Sequence, residues 1–157
     1  MTFEEYDEYL KNLQLARSSN ASHFILKKLF VENGWTIKYE VVMNPNCPID
    51  ILEDNLNDRD VIYTILKNPK CPVYLLERSL QLNIDIAHYG IKLFVLQNPN
   101  CTAEISERLS NDHIETIKNI IRDRRCPFYF LKKIYKKYEN LRPLIQLNVN
   151  WRLSDFN

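Results

Sequence analysis

The chain has 157 residues, of which 45% are hydrophobic and 26% charged, and its formal net charge is +1. That length suits one domain with a buried core, and the near-zero balance excludes a chain that is basic or acidic throughout. Only two glycines are present, which disfavours β-rich folds and glycine-rich phosphate loops, and no apolar run approaches the roughly 18 residues of a membrane span.

The opening Met1-Thr2-Phe3-Glu4-Glu5 has neither the basic region nor the apolar core of a signal peptide. With four cysteines that show no pairing pattern, this predicts a cytoplasmic protein. Thr2 and Glu5 stand at capping-box spacing, and Phe3, Tyr6, Leu10 and Leu13 share a helical face, so residues 1–15 are expected to form an N-terminal capping helix. Arg17-Ser18-Ser19-Asn20-Ala21-Ser22 precedes a second helical pattern through Ile25, Leu26 and Phe30, which Asn33-Gly34 ends. Trp35 to Met43 is rich in β-branched residues, but its context predicts a short helix.

A phrase then recurs. It reads Asn44-Pro45-Asn46-Cys47-Pro48, Asn68-Pro69-Lys70-Cys71-Pro72, Asn98-Pro99-Asn100-Cys101-Thr102 and Asp123-Arg124-Arg125-Cys126-Pro127. In the second copy, Val61, Ile62, Ile65 and Leu66 lie on one helical face. Asn68 is suited to a left-handed helix end, and Pro69 forbids continuation. Pro72 is expected at the first position of the next helix, which places Cys71 at its N-cap. On that register Asp50 and Glu104 fall where a capping box has its carboxylate. Each phrase precedes apolar residues at helical spacing: Ile51, Leu52 and Leu56; Leu75, Leu76 and Leu80; Ile105 and Leu109; then Leu131, Ile134, Tyr135, Tyr138 and Leu141 in one long helix. An insertion is expected within Gln81 to Gly90. A last partial unit runs from Leu144 to Phe156, with Trp151 at the Cys position.

Positions 21, 47, 71, 101, 126 and 151 are therefore equivalent, separated by 26, 24, 30, 25 and 25 residues. Recurrence at that period predicts an all-α solenoid of about five to six helical repeats. It is a single domain over residues 1–157, with residues 1–15 as the N-terminal cap, 16–142 as repeats and 143–157 as a partial C-terminal capping repeat. One cysteine per repeat places successive sulfurs on the order of 10 Å apart, too far to share a metal ion or form disulfides between neighbouring turns. Buried packing is the expected role of Cys47, Cys71, Cys101 and Cys126.

The phrase Asn-Pro-x-Cys-Pro-x-x-x-Leu at this period resembles the variant leucine-rich repeat, most closely over Met43 to Leu131. The resemblance implies a right-handed superhelix in which each repeat pairs an α-helix with a shorter, often 3₁₀, helix. It implies no catalytic residues. The N-terminal cysteine cluster with which some members hold an iron–sulfur centre is absent, since the first cysteine is Cys47, so no cofactor is expected.

No motif for phosphate binding, a serine nucleophile or a zinc protease is present. His23, His88 and His113 are scattered, and His113 beside Asp112 and Glu115 is expected to be a surface histidine. The chain is thus expected not to be an enzyme; an enzyme on a helical-repeat scaffold would need a carboxylate beside aromatics in a cleft, which the sequence does not assemble. Charge is polarised instead. Residues 1–60 hold six Lys/Arg and eleven Asp/Glu, whereas residues 118–142 hold nine and two. Arg122, Arg124 and Arg125 cluster at the fourth phrase, and Lys132, Lys133, Lys136 and Lys137 share the polar face behind it. A solvated surface, a phosphate contact and an acidic protein surface all fit such a cluster. Tyr135 and Tyr138 fall on the apolar stripe, which argues against base stacking. The expected function is a non-catalytic protein–protein interaction module or adaptor, its partner another protein or another copy of this chain. The alternative is a nucleic-acid binder working through the basic C-terminal helices.

Overall fold

The computed structural model describes residues 2–82 and 88–153, and every regular element among them is helical. The chain divides into two compact units, Met1–Cys71 and Pro72–Asn157.

The first unit holds α1 (Phe3–Arg17), α2 (His23–Glu32), α3 (Trp35–Met43), α4 (Ile49–Asp54) and α5 (Ile62–Lys67). The capping box forms: Glu5 N–H donates to Thr2 Oγ1 at 3.2 Å and Thr2 N–H to Glu5 Oε2 at 2.7 Å. The segment Trp35 to Met43 is helical, as its context predicts. α3 packs on α1, α2 and α5 and buries Ile37, Val41 and Val42. Helices of six to ten residues are marginal alone, so packing holds them. Each buried Leu or Ile contributes about 1.5–3 kcal/mol; Leu26, Leu52, Leu56, Ile62, Ile65 and Leu66 are at most 1% exposed.

The second unit holds α6 (Val73–Ser79), α7 (His88–Gln97), α8 (Ala103–Ser110), α9 (Ile114–Arg122), α10 (Phe128–Lys137), a 3₁₀ turn over Glu139–Leu141, α11 (Arg142–Gln146) and α12 (Val149–Leu153). α9 packs against both α7 and α11, and α10 against α8, α11 and α12. The expected long helix after the fourth phrase instead stops at Lys137. Tyr138 is extended, and its hydroxyl donates to Ser110 O at 3.0 Å, while Leu141 starts a new buried turn. The insertion expected within Gln81 to Gly90 lies largely outside the described residues.

One turn recurs at six places. The N–H of Ala21, Cys47, Cys71, Cys101, Cys126 and Trp151 donates to the carbonyl three residues earlier, of Ser18, Asn44, Asn68, Asn98, Asp123 and Asn148, at 2.9–3.1 Å. In each turn the first side chain also accepts from the N–H two residues on, at 2.8–3.3 Å. This is the Asx or ST turn. It corrects two expectations. Asn44 and Asn68 are extended, with ψ of 132° and 124°, and no positive φ occurs among the described residues; the following proline excludes the helical alternative. The N-caps are Pro48, Pro72, Thr102 and Pro127, so each cysteine sits one residue ahead of the cap. The capping-box carboxylates are displaced accordingly: Thr102 Oγ1 accepts from Ile105 at 3.2 Å, and Asp50 pairs with Lys27.

The asparagine amide has a further role. Asn44 Nδ2 donates to Ala16 O at 2.7 Å and Ser18 O at 2.9 Å, Asn68 Nδ2 to Val42 O at 2.6 Å and Asn44 O at 3.1 Å, and Asn148 Nδ2 to Ile121 O at 2.7 Å and Asp123 O at 2.9 Å. Each buried amide therefore closes the carbonyl end of the preceding odd-numbered helix, whose last C=O groups have no partner within the helix.

Candidate functional site: the basic face of α10

α10 is amphipathic. Phe130, Leu131 and Ile134 are buried, and Lys132, Lys133, Lys136 and Lys137 fall on the opposite side. These four lysines, Tyr129 and Glu107 of α8 line one open groove. Glu107 sits among them: Lys133 Nζ donates to its Oε2 at 2.8 Å and Lys137 Nζ to its Oε1 at 3.0 Å. The two ammonium groups hold its carboxyl well below the usual range, at about 2. Lys137 also donates to Asn111 Oδ1 at 2.6 Å and Ser110 Oγ at 3.1 Å. Lys132 lies over the Phe128 ring, 4.5 Å from its centroid. Neither Lys132 nor Lys136 has a carboxylate partner among the described residues.

The arginines are separate. Arg125 turns back on Asp123 in a two-pronged pair at 2.9 and 2.7 Å, lowering the Asp123 pKa, and lies 5.2 Å from the Phe94 ring centroid. It lines a second groove with Leu96, Gln97, Cys101, Pro127 and Tyr129. Arg122 and Arg124 are exposed and line neither groove. The structure thus brings the four lysines together, joins Arg125 to them only through Tyr129, and leaves Arg122 and Arg124 apart.

This second groove marks an altered turn. Asp123 stands where the other phrases have asparagine, and a carboxylate has no N–H to donate. The carbonyl that would receive that amide, Leu96 O, instead accepts from the Tyr129 hydroxyl at 2.7 Å. Gln97 Nε2 donates to Arg125 O at 2.6 Å across the same turn. Glu107 and Tyr129 are the residues sequence reasoning missed. The loss of the phrase's asparagine at position 123 was the available signal for Tyr129; the bridge from Glu107 to residues 26 and 30 positions on left none.

Other candidate chemistry resolves into structure. His113 caps α9, its Nδ1 accepting from Glu115 N–H at 3.4 Å, while Asp112 pairs with Lys92 at 2.7 Å. Cys47, Cys71 and Cys126 are buried and Cys101 is half-buried, all as free thiols. Burial raises all four, Cys47 and Cys71 to about 12, so they are protonated at neutral pH. Among the described residues no three His, Cys, Asp or Glu side chains gather where a metal ion could sit, and no helix is long and apolar enough to cross a membrane. Comparison with known proteins found no matching family model, curated protein or solved structure.

Proposed function

We propose that this chain is a non-catalytic, cytoplasmic interaction module of the variant-leucine-rich-repeat kind, a short α-solenoid whose α8–α10 groove receives an acidic segment of a protein partner. The recurrent turn and the packing of α1 with α3 and α5, and of α7 with α9 and α11, support the repeat architecture. The observation that carries the functional reading is the division of labour among the lysines. Lys133 and Lys137 hold a carboxylate of the chain's own, while Lys132 and Lys136, on the same groove, hold none. A partner's carboxylates complete that pattern. Because Glu107 neutralises Lys133 and Lys137, the groove offers two lysines rather than the continuous positive track that a phosphate backbone needs, which favours protein over nucleic acid.

The test is capture from host lysate, with and without nuclease, comparing wild type with Lys132→Glu/Lys136→Glu. That variant leaves the Glu107 bridges in place. A nuclease-resistant partner lost in the variant is the expected result. Recovery of nuclease-sensitive material alone would transfer the groove to nucleic acid, and a partner bound equally by both proteins would remove it from the function.

A further inference from the structure

The acidic segment that fits this groove is present in the chain itself. α1 carries Glu4, Glu5, Asp7 and Glu8 within its first two turns. Glu5 is committed to the capping box. Glu4, Asp7 and Glu8 are exposed and make no ion pair among the described residues. The same helix presents Phe3 at 79% exposure, Tyr6 at 45% and Leu10 at 38%, and only Ala16 is buried. An acidic helix with an exposed aromatic stripe is the complement of a lysine groove with an exposed tyrosine. The placement matches as well: Asp7 is four residues from Phe3 and three from Leu10, with Glu4 three residues before it, and residues so spaced on a helix are neighbours.

We infer, building on the interaction-module reading, that the partner of the α8–α10 groove is α1 of a second copy of this chain. Asp7 and Glu4 pair with Lys132 and Lys136, and Phe3 packs on Tyr129. Another acidic stretch, Asp54 to Asp60, fits less well, because its apolar neighbours Leu56 and Val61 are buried and offer nothing to Tyr129. The contact joins two different surfaces, so it is head to tail and continues past a dimer unless it closes into a ring.

The experiment is sedimentation velocity on the full chain across a concentration series, at low and high salt. Two charge-reversed variants are included: Glu4→Lys/Asp7→Lys/Glu8→Lys, and Lys132→Glu/Lys136→Glu. Wild type is expected to gain mass with concentration at low salt, and to associate at least about tenfold more weakly when the screening length falls toward about 3 Å at molar salt. Each variant alone is expected to stay monomeric, and an equimolar mixture to associate again, because the basic α1 of one now meets the acidic groove of the other. Restored assembly also shows that both variants are folded. A wild type that stays monomeric, an assembly that survives either reversal, or a mixture that stays monomeric would each overturn the inference. If wild type is monomeric yet the lysine variant loses a nuclease-resistant partner from lysate, self-docking fails while the interaction-module reading stands.

Discussion

Tyr129 lies at the turn where Asp123 replaces asparagine, and its hydroxyl does what the amides of Asn44, Asn68 and Asn148 do at theirs. Leu96 O belongs to the last turn of α7, where no intrahelical donor reaches it. Tyr129→Phe removes that donor and is expected to cost about 1–3 kcal/mol in urea unfolding. Adding Asp123→Asn supplies an amide at the position from which Asn148 reaches Ile121 O, and should recover a substantial part of the loss. A phenylalanine variant as stable as wild type, or a double variant no better than the single one, would refute the substitution of one donor for the other. Cysteine reactivity tests the burial at these turns. Cys101 is the least covered of the four, and the Tyr129 hydroxyl and Lys133 both act to lower its pKa against the rise that burial causes. Alkylation of the native protein, followed by mass spectrometry, should label Cys101 at least about tenfold faster than Cys47, Cys71 or Cys126. Equal rates would mean that the turns open readily. Because Cys71 precedes the cap, serine in its place gains no capping bond and only exchanges a buried thiol for a buried hydroxyl.

At the scale of elements, Glu107 fastens α8 to α10 through Lys133 and Lys137. Its carboxyl is depressed from 4.5 to about 2. A depressed carboxyl contributes stability that is present above the unfolded value and is lost as pH falls through the folded one. The contribution should therefore fade between about pH 4.5 and pH 2, and Glu107→Gln should flatten that part of the stability profile. The group is exposed, so the effect is small and should vanish in high salt. A variant with an unchanged acid limb would remove the clip. Much at this scale was legible in the sequence. Apolar spacing located the helices, proline and cysteine located the turns, and the four lysines do share a groove. The amide clamps were not legible, because hydrophobic periodicity carries no information about bonds that span 24–28 residues. Nor was the exposure of the α1 stripe. Phe3, Tyr6 and Leu10 share a face, but α1 packs through Ala16, with Asn12, Leu13 and Leu15 half-buried, and periodicity names a face without saying whether anything covers it.

For the whole molecule, near-neutrality conceals a division. Residues 1–71 hold eight basic and eleven acidic side chains, and residues 72–157 hold thirteen and nine. The two compact units thus have opposite sign. Opposed charges on one chain favour oriented encounter, and their influence falls as salt shortens its range. Within the basic unit the charge is not uniformly available, since Arg125, Lys133 and Lys137 are bound to carboxylates of the same unit. Lys132 and Lys136, like Arg78, Arg108, Arg122 and Arg124, are exposed and make no ion pair among the described residues.

The amide clamp also has a direction. Asn44 completes a turn begun at Ser18, Asn68 one begun at Asn44, and Asn148 one begun at Asp123. The acceptor is always earlier in the chain than the donor, by 24–28 residues across the six bonds. During synthesis, then, a helix end leaves the ribosome with open carbonyls and is sealed when 24–28 more residues have followed it. The two kinds of truncation differ in the same way: loss of a later turn strands acceptors, whereas loss of an earlier one strands buried amide donors.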